Sequence, residues 1–165
     1  MGSGKFLGYM ITTWGIEVNP DQIMAIQQLN LPGNLKEVQR LTGMIASLNR
    51  FVLRSVNRCR PFFQLLKKWK GFQWMEEFNM AFRELKSYLA SPSILSRPEL
   101  EEDLYMYLAV SDQAVSSVLL RHEEGIQQPI NYLSKTLVVV ETWYLPLEKM
   151  ALALVHATRK LQHYF

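Results

Sequence analysis

The hydrophobic period of this chain changes from 3.6 to 2 at the segment SPSILSRP over residues 91–98. In the stretch before it, apolar residues recur every three to four positions, as on amphipathic helices, whereas directly after it they alternate, as in β-strands. The segment carries two prolines and three serines, a composition typical of a connection between folding units. We therefore predict an α+β chain with a hairpin over 1–18, helices over 19–90, a linker over 91–99 and a strand-rich unit over 100–165.

The first unit should contain a hairpin and four helices. Residues 5–18 alternate and are rich in β-branched and aromatic side chains, which predicts a hairpin turning near Trp14-Gly15. The helices should start at Pro20 behind an Asn19 cap, at Asn34 with Glu37 as a capping box, at Pro61, and near Glu76. Two buried stripes follow from the spacing: Leu35, Val38, Leu41, Ile45, Leu48 and Val52 on the second helix, and Phe78, Phe82, Leu85 and Leu89 on the fourth.

Gly43 lies in the middle of the second predicted helix, where glycine costs about 1 kcal/mol relative to alanine. It would allow a neighbouring helix or a nucleic-acid backbone to approach closely. Helix packing is the favoured of these two explanations.

The second unit should begin with three strands, over residues 104–110, 114–121 and 129–133, with the last two joined by a hairpin around Glu124-Gly125. A final helix should run from about Leu147 to the end. Its apolar spacing predicts a buried side made of Leu147, Met150, Ala151, Leu154 and Leu161.

The net charge of +3 hides a strong asymmetry between the two units. Residues 1–98 carry 13 Lys and Arg against 6 Asp and Glu, a net charge of +7, whereas residues 99–165 carry 5 against 9, a net charge of −4. Residues 36–70 alone hold 9 basic side chains and 1 acidic one. This concentration favours a polyanion as partner of the first unit, and a solvated basic face without a partner is the alternative.

Several classes of function are disfavoured by the residues themselves. The single Cys59 cannot form an internal disulfide, which favours a reducing intracellular setting (cytoplasm or nucleus), and it is expected to be a packed residue rather than a nucleophile. No apolar run is long enough to cross a bilayer, no secretory leader opens the chain, and the three histidines lack zinc-ligand spacing. Phosphate-binding loops and hydrolase triads are also missing, so no catalytic site is predicted from the residues alone.

The acidic residues offer little for metal chemistry. Glu101, Glu102 and Asp103 are expected to form a solvated loop, and Glu148 to favour the start of the last helix through the helix dipole. Asp112 is the one acidic residue of the strand region, at the end of the first strand. Nucleic-acid contacts are instead expected from the first unit, at Gly8, Tyr9, Lys36, Arg40, Arg50, Arg54, Arg58, Lys67, Lys68 and Lys70.

The order of four segments resembles the polymerase of gypsy-type retrotransposons and retroviruses. The segments are FLGYMITTWGIEVNPDQIMAI, LPGNLKEVQRLTGMIASLNRFV, RPFFQLLKKWKGFQW and FNMAFRELKSYLASPSIL. The resemblance covers nearly all of residues 5–165. It implies that residues around FLGY are the end of the palm at the primer grip, that 19–90 form the helical thumb on the template–primer duplex, and that 100–165 begin a ribonuclease H-like domain.

Two departures from the family pattern concern its metal ligands. Active relatives read T-D-A-S-D in the first strand, where this chain reads LAVSD, so Ala109 replaces the metal-binding Asp and Asp112 matches a non-ligand acid. In the first helix the relatives read T-E-K-E, where LEKM places Met150 at the ligand Glu and Glu148 at a non-catalytic one. The resemblance thus implies Mg²⁺ in active relatives but neither metal nor cofactor here.

The function expected on this basis is that of a polyprotein fragment, a thumb with an inactive ribonuclease H-like domain, without its own catalytic centre. Its partners would be RNA–DNA or DNA duplex, bound weakly and without sequence preference, and the rest of the polymerase polyprotein. The resemblance also implies that the first strand of the second unit is left as an apolar edge, which predicts self-association. The alternatives are a residual Mg²⁺-dependent ribonuclease H using Asp112 and Glu148, and a host-adopted interaction module or pseudogene product.

Overall fold

The computed structural model describes residues 4–6, 9–13, 15–52, 55–67, 76–91 and 94–164, without the side chains of Phe6 and Lys67. The chain is α+β, as predicted. Its strands are β1 Gly4–Phe6, β2 Tyr9–Thr12, β3 Gly15–Val18, β4 Leu95–Ser96, β5 Tyr105–Val110, β6 Ala114–Glu123 and β7 Ile126–Thr136. Its α-helices are α1 Pro20–Gln27, α2 Leu35–Ser47, α3 Ser55–Lys67, α4 Glu76–Leu89, α5 Val139–Thr142 and α6 Pro146–Lys160, with 3-10 turns over Asn49–Phe51 and Gln162–Tyr164.

The first unit is built on an antiparallel sheet of order β1-β2-β3-β4, which contains the predicted hairpin as β2 and β3. Gly15 opens β3 with a φ of +149°, and a Cβ built there would lie 2.0 Å from the carbonyl oxygen of Leu95. Only glycine allows the two strands to approach this closely. The pairing of β3 with β4 therefore depends on Gly15.

The predicted helices α1, α2 and α4 are confirmed, and so are the predicted caps of α1 and α2. The Asn34 side chain accepts a hydrogen bond from the Glu37 N–H at 3.0 Å, while the Glu37 carboxylate accepts one from the Gly33 N–H at 2.7 Å. The two predicted apolar stripes are buried, with Leu35 alone half-exposed. They pack with residues of α3 into the largest core of the molecule.

The prediction that a helix starts at Pro61 is wrong, because α3 begins six residues earlier at Ser55 and Pro61 lies inside it. A proline within a helix removes one backbone hydrogen bond and costs about 3 kcal/mol. Cys59, Phe62 and Leu65, on either side of Pro61, are all buried in the core. Their burial outweighs the local cost of the proline.

The second unit contains an antiparallel sheet of order β5-β6-β7. The predicted hairpin is confirmed, with Glu124 and Gly125 both at positive φ, as a tight two-residue turn requires. Strand β7 is three residues longer than predicted at each end, and it runs through Pro129 at a β-bulge where the register shifts opposite Leu119 and Leu120. The bulge accommodates a residue that has no N–H to donate to the ladder.

Helix α6 is confirmed, but the prediction of its buried side is largely wrong. The buried residues are Lys149, Ala153, Ala157 and, just past the helix, Leu161. Leu147, Met150, Ala151 and Leu154 are exposed instead. The alanines bring the helix backbone close to the sheet, and the larger side chains are left on another face.

The described part of the predicted linker that follows residue 93 belongs to the fold, since it contains β4. Leu95 in β4 is 2% exposed and belongs to the core of the first unit. Across the boundary, the Ser96 hydroxyl bonds the Gln128 side chain at 2.7 Å, and Tyr132 of β7 packs against the first core. The two units are therefore in direct contact. Within the described part of the chain, no helix has the length and apolar character needed to cross a membrane.

Candidate nucleic-acid interface

The solvent-facing side of α2 carries a straight line of exposed residues, which we call the α2 stripe: Lys36, Arg40, Gly43, Ser47 and Arg50. Their spacing of three or four places them on one face, opposite the apolar stripe that faces the core. The first four lie on α2, and Arg50 follows in the 3-10 turn. The stripe contains three cations and no acid.

The end of the α2 stripe is fixed by Tyr9 of β2. Its hydroxyl donates to the Ser47 carbonyl at 3.3 Å, and its ring lies 5.6 Å from that of Phe51, which is fully buried. The Arg50 guanidinium lies over the Tyr9 ring, 5.0 Å from its centroid. Tyr9 thus positions the Arg50 cation beside the stripe, which joins two residues that were predicted separately.

Gly43 lies at the middle of the α2 stripe, and a Cβ built on it would have no atom within 4 Å. Packing against a neighbouring helix, the favoured explanation from the sequence, is therefore wrong for the described residues. What the glycine provides is a flat, open place between Arg40 and Ser47.

The other predicted contact residues do not join the stripe. Arg58 is half-buried, with its guanidinium 4.2 Å from the centroid of the Tyr88 ring. Lys67 ends α3, and its side chain is outside the description. Gly8, Arg54, Lys68 and Lys70 lie outside the described residues.

Ala109, which the resemblance would place at the metal-binding Asp of active relatives, lies in a small cleft of about 140 Å³ between β5 and α3. The cleft is lined by Val56, Asn57, Ala109, Val110, Ser111, Ala114, Ser116 and Ser134. Hydroxyl and amide groups are present there, but no carboxylate. Mg²⁺ prefers carboxylate and water oxygens, so the groups lining this cleft do not fit that ion. Among the described residues, no group of three His, Cys, Asp or Glu side chains could hold a metal.

Met150 is exposed on α6, whereas Lys149 and Ala153 of the same helix are buried. Met150 is not among the residues that line the cleft around Ala109. Glu148 serves the helix start as expected, since its carboxylate accepts a hydrogen bond from the Leu145 N–H at 2.7 Å. The structure therefore does not bring Met150 into the cleft of Ala109.

Asp112 lies in the turn after β5, at a larger cleft of about 700 Å³. Arg60, Gln64 and Phe63 of α3 line the opposite wall. One exposed carboxylate and one exposed guanidinium thus line the same cleft, at the boundary of the two units.

The expectation of a solvated acidic loop is wrong for Glu102. Its carboxylate accepts a hydrogen bond from Arg121 Nε at 2.9 Å, and both side chains are largely buried. The backbone N–H of Glu99 and the Arg121 guanidinium hold the pKa of Glu102 below its usual value. Arg121 also donates to the Arg97 carbonyl at 2.9 Å, so it ties β6 to the chain that follows β4.

A second polar cluster that the sequence did not reveal joins β7 to the helices after it. Lys135 forms an ion pair with Glu141, whose carboxylate also accepts the Val138 N–H at 2.9 Å and begins α5. Both contacts lower the pKa of Glu141. Burial, and then the nearby Lys135, lower the pKa of His156 on α6. In the sequence, the only signal for a structural role of Lys135 was its place at an inward-facing position of an alternating strand.

The fold and these sites can be compared with known proteins. Residues 74–165 match the family described as "RNase H-like domain found in reverse transcriptase". The chain is 29% identical over 171 residues to the retrovirus-related Pol polyprotein from transposon opus of Drosophila melanogaster, with 97% of this chain and 17% of that protein covered. It is 27% identical over 161 residues to the Transposon Tf2-3 polyprotein of Schizosaccharomyces pombe, with 97% and 12% covered.

Solved structures of foamy viral protease-reverse transcriptase have the same fold. The complex with RNA/DNA hybrid superposes with a TM-score of 0.81 at 26% identity, over 96% of this chain and 22% of that one. The complex with dsDNA gives 0.83 at 26% identity, over 98% and 34%. The chain thus spans less than a fifth of the two curated relatives' length and about a third or less of these structures.

An α+β architecture with a three-stranded antiparallel sheet under α6 and a helical unit before it defines a reverse-transcriptase-type region. The chain belongs to the family of RNase H-like domains found in reverse transcriptases, and its relatives include retrotransposon Pol polyproteins.

Proposed function

We propose that this chain binds nucleic-acid duplex through the α2 stripe, weakly and without sequence preference, as a scaffolding part of a reverse transcriptase polyprotein. One observation carries the proposal: Lys36, Arg40 and Arg50 are exposed in one line, with the open Gly43 between them. Lysine and arginine contacts to phosphate supply affinity that carries no sequence information by itself.

The dimensions of the α2 stripe suit a duplex. At a rise of about 1.5 Å per residue, Lys36 and Arg50 are separated by roughly 21 Å along the helix direction. A strand of B-DNA advances about 3.4 Å per base pair, so the stripe would follow roughly six steps of one backbone. Gly43 lies at its midpoint, where a larger side chain would hold the backbone away from the three cations.

The related structures support duplex as the ligand. The foamy viral proteins that share this fold over at least 96% of the chain are described as complexes with RNA/DNA hybrid and with dsDNA. Transfer of that property to this chain is our proposal.

Binding of labelled RNA–DNA hybrid and dsDNA, followed by fluorescence anisotropy between 50 and 200 mM salt, tests the proposal. Three phosphate contacts give a slope of about −2.7 in log affinity against log salt, or about a 40-fold loss over that range. Arg40→Gln should reduce the slope to about −1.8. Arg83→Gln, an exposed arginine on α4 outside the stripe, is the matched control and should leave it unchanged. Binding that does not weaken with salt contradicts the proposal.

We further infer that the chain has no ribonuclease H activity of its own. The support is the lining of the cleft around Ala109, which offers hydroxyl and amide groups without a carboxylate. A labelled hybrid incubated with Mg²⁺ or Mn²⁺ should therefore stay intact. Cleavage that is abolished by Asp112→Asn would establish the alternative, a residual nuclease using Asp112 and Glu148.

The finer assignments are part of the same proposal. We infer that the chain comes from a gypsy-type element and that it is a fragment with a degenerate nuclease site. We infer a thumb over 19–90 and an inactive ribonuclease H-like domain, of the connection type, over 100–165. We also infer self-association through the edge of β5. Flanking protease, polymerase and integrase reading frames in the genome would favour an element remnant. Their absence would favour a host-adopted module or a pseudogene product.

A further inference from the structure

The cleft of about 700 Å³ at the boundary of the two units has walls that lie well inside the sequence. Side chains of α3, within residues 56–64, form one wall, and side chains within residues 112–142 form the other. Cavities of about 300–1,000 Å³ are typical of sites for small molecules. The cleft is therefore large enough for a small organic ligand, and the chemistry of its walls indicates which class of ligand it suits.

The wall on α3 presents an aromatic ring to the cleft. Val56, Arg60 and Phe63 are spaced by four and three residues, so they share one face of α3, whereas Phe62 and Leu65 on another face are buried in the core. The Phe63 ring is 42% exposed. Among the described residues no other ring stacks on it. It can therefore accept a planar group on its face.

Arg60 brings a positioned cation to the same wall. With the Gln64 amide turned so that its oxygen faces Arg60, this oxygen accepts hydrogen bonds from Arg60 Nε at 3.0 Å and Nη2 at 3.2 Å. A guanidinium has five N–H groups, so three remain for a ligand. Within the described part of the chain, no carboxylate lies at ion-pair distance from Arg60. An anionic group that enters the cleft would therefore meet a cation that is already oriented.

The opposite wall presents a carboxylate above an apolar base. Asp112 lies in the turn between β5 and β6, and the Gln113 carbonyl of that turn accepts the Leu137 N–H at 2.9 Å, which ties the turn to the end of β7. Leu137 is 5% exposed and supplies the apolar base. Asp112 forms no ion pair with any other described residue. Its oxygens are therefore available to hydrogen-bond donors of a ligand.

A ligand that uses the guanidinium, the ring and the carboxylate together needs an anionic group, a planar ring and hydroxyl donors. We propose that the cleft binds a ribonucleoside 5′-phosphate, with its phosphate on Arg60, its base on Phe63 and its ribose hydroxyls on Asp112. Guanidinium groups pair with phosphate, aromatic side chains stack with any base, and carboxylates accept hydrogen bonds from ribose hydroxyls in other nucleotide sites. Free ribonucleotides and the 5′ ends of RNA strands share this chemistry. The site is separate from the α2 stripe and does not depend on duplex binding there.

Titration of the 165-residue chain with adenosine 5′-monophosphate, followed by two-dimensional NMR of the backbone amides, tests the proposal. We expect saturable binding with a Kd of about 10 µM to 1 mM, as for a small ligand in an open cleft. The shifted amides should lie mainly within residues 56–64, 112–113 and 136–142. The deoxyribonucleotide, which lacks the 2′-hydroxyl, should bind about five- to tenfold more weakly. Adenosine, which lacks the phosphate, should lose at least about fivefold.

Each predicted contact has a variant that removes one preference only. Arg60→Gln should remove the advantage of the monophosphate over adenosine, and Asp112→Ala the advantage of ribose over deoxyribose. Phe63→Leu should weaken all three ligands by at least about fivefold, because the stacking surface is lost. Arg83→Gln and Asp103→Ala are the matched controls, since both residues are exposed outside the cleft, and they should leave each Kd unchanged within about twofold. Far-UV circular dichroism confirms that each variant is folded.

The outcomes decide the proposal and the source of the ligand. No saturation below about 10 mM overturns it, as do amide shifts centred on the α2 stripe or equal affinities for the ribose and deoxyribose forms. A 5′-phosphorylated RNA tetramer that binds at least about tenfold tighter than the monophosphate assigns the cleft to strand ends, and equal or weaker binding assigns it to free ribonucleotides. In either case Arg60→Gln should leave the salt slope of duplex binding unchanged, so failure at the cleft does not affect the α2 stripe.

Discussion

Replacing Gly43 should separate the stability of this chain from its duplex binding. The residue is exposed inside α2, and a Cβ added there meets no described atom within 4 Å. Leucine is a strong helix former, so Gly43→Leu should raise the free energy of unfolding by about 0.8 kcal/mol. For a chain of this size, that corresponds to a rise of roughly 2–3 °C in the thermal midpoint.

Duplex binding should change in the opposite direction. A cation and a phosphate 4 Å apart in water attract each other by about 1 kcal/mol, and the attraction halves at about 8 Å. A leucine at the midpoint of the α2 stripe would hold the phosphates at about 8 Å instead of about 4 Å from the cations of Lys36, Arg40 and Arg50. Three such losses amount to about 1.5 kcal/mol, or roughly tenfold in Kd.

The two effects are measured by thermal unfolding and by fluorescence anisotropy at 50 mM salt on the same preparation. Ala25→Leu is the matched control, because Ala25 is an exposed small residue on α1 outside the stripe, and it should alter neither binding nor stability by more than about 0.5 kcal/mol. A Gly43→Leu variant that is more stable and binds duplex as tightly as the parent refutes close approach at Gly43. A variant that is less stable refutes the open space around it.

Three further results are expected. Glu102→Gln should lower the unfolding free energy by about 1.5–3 kcal/mol at neutral pH by weakening the contact with Arg121. Because the pKa of Glu102 is lowered on folding, this contribution is present above its unfolded pKa and disappears as the pH falls through the folded value, so denaturant curves of parent and variant should converge in acid. Leu95→Ala should cost about 2–5 kcal/mol in a denaturant titration, whereas Ile94→Ala, at a side chain 52% exposed, should cost less than about 0.5; equal effects would contradict the place of β4 in the core. Burial raises the pKa of the Cys59 thiol to about 12, so a thiol reagent at pH 8 should react only after unfolding, and rapid labelling of the folded chain would contradict that burial.

Caps, periodicity and turn residues correctly predicted those elements whose buried face is the one that their apolar spacing indicates. The Asn34–Glu37 cap and the three-to-four spacing after it specify both the start and the buried face of α2, because capping and periodicity act within a few residues. The turn at Glu124-Gly125 was equally clear, since few residues accept positive φ at two successive positions.

Local signals failed where distant residues compete with them. Pro61 is an expected helix start, yet burial of Phe62 and Cys59 extends α3 through it. Gly43 gave no indication of its surroundings, because the space beside a residue depends on elements far away in the chain. Arg121 and Glu102 are 19 positions apart, and only the fold places them within hydrogen-bond distance.

The sequence by itself determined the α+β class, the change of period at residues 91–98 and the basic character of the first unit. Each of these is a property of residue type and spacing along the chain. Only the tertiary structure decided which face of α6 is buried. The sheet packs against the face that carries Ala153 and Ala157, and the large side chains of Leu147, Met150 and Leu154 stay exposed. Small side chains at the contact let the helix lie close to the sheet. That choice depends on the sheet, whose strands are distant in sequence from part of the helix, and so periodicity within α6 did not reveal it.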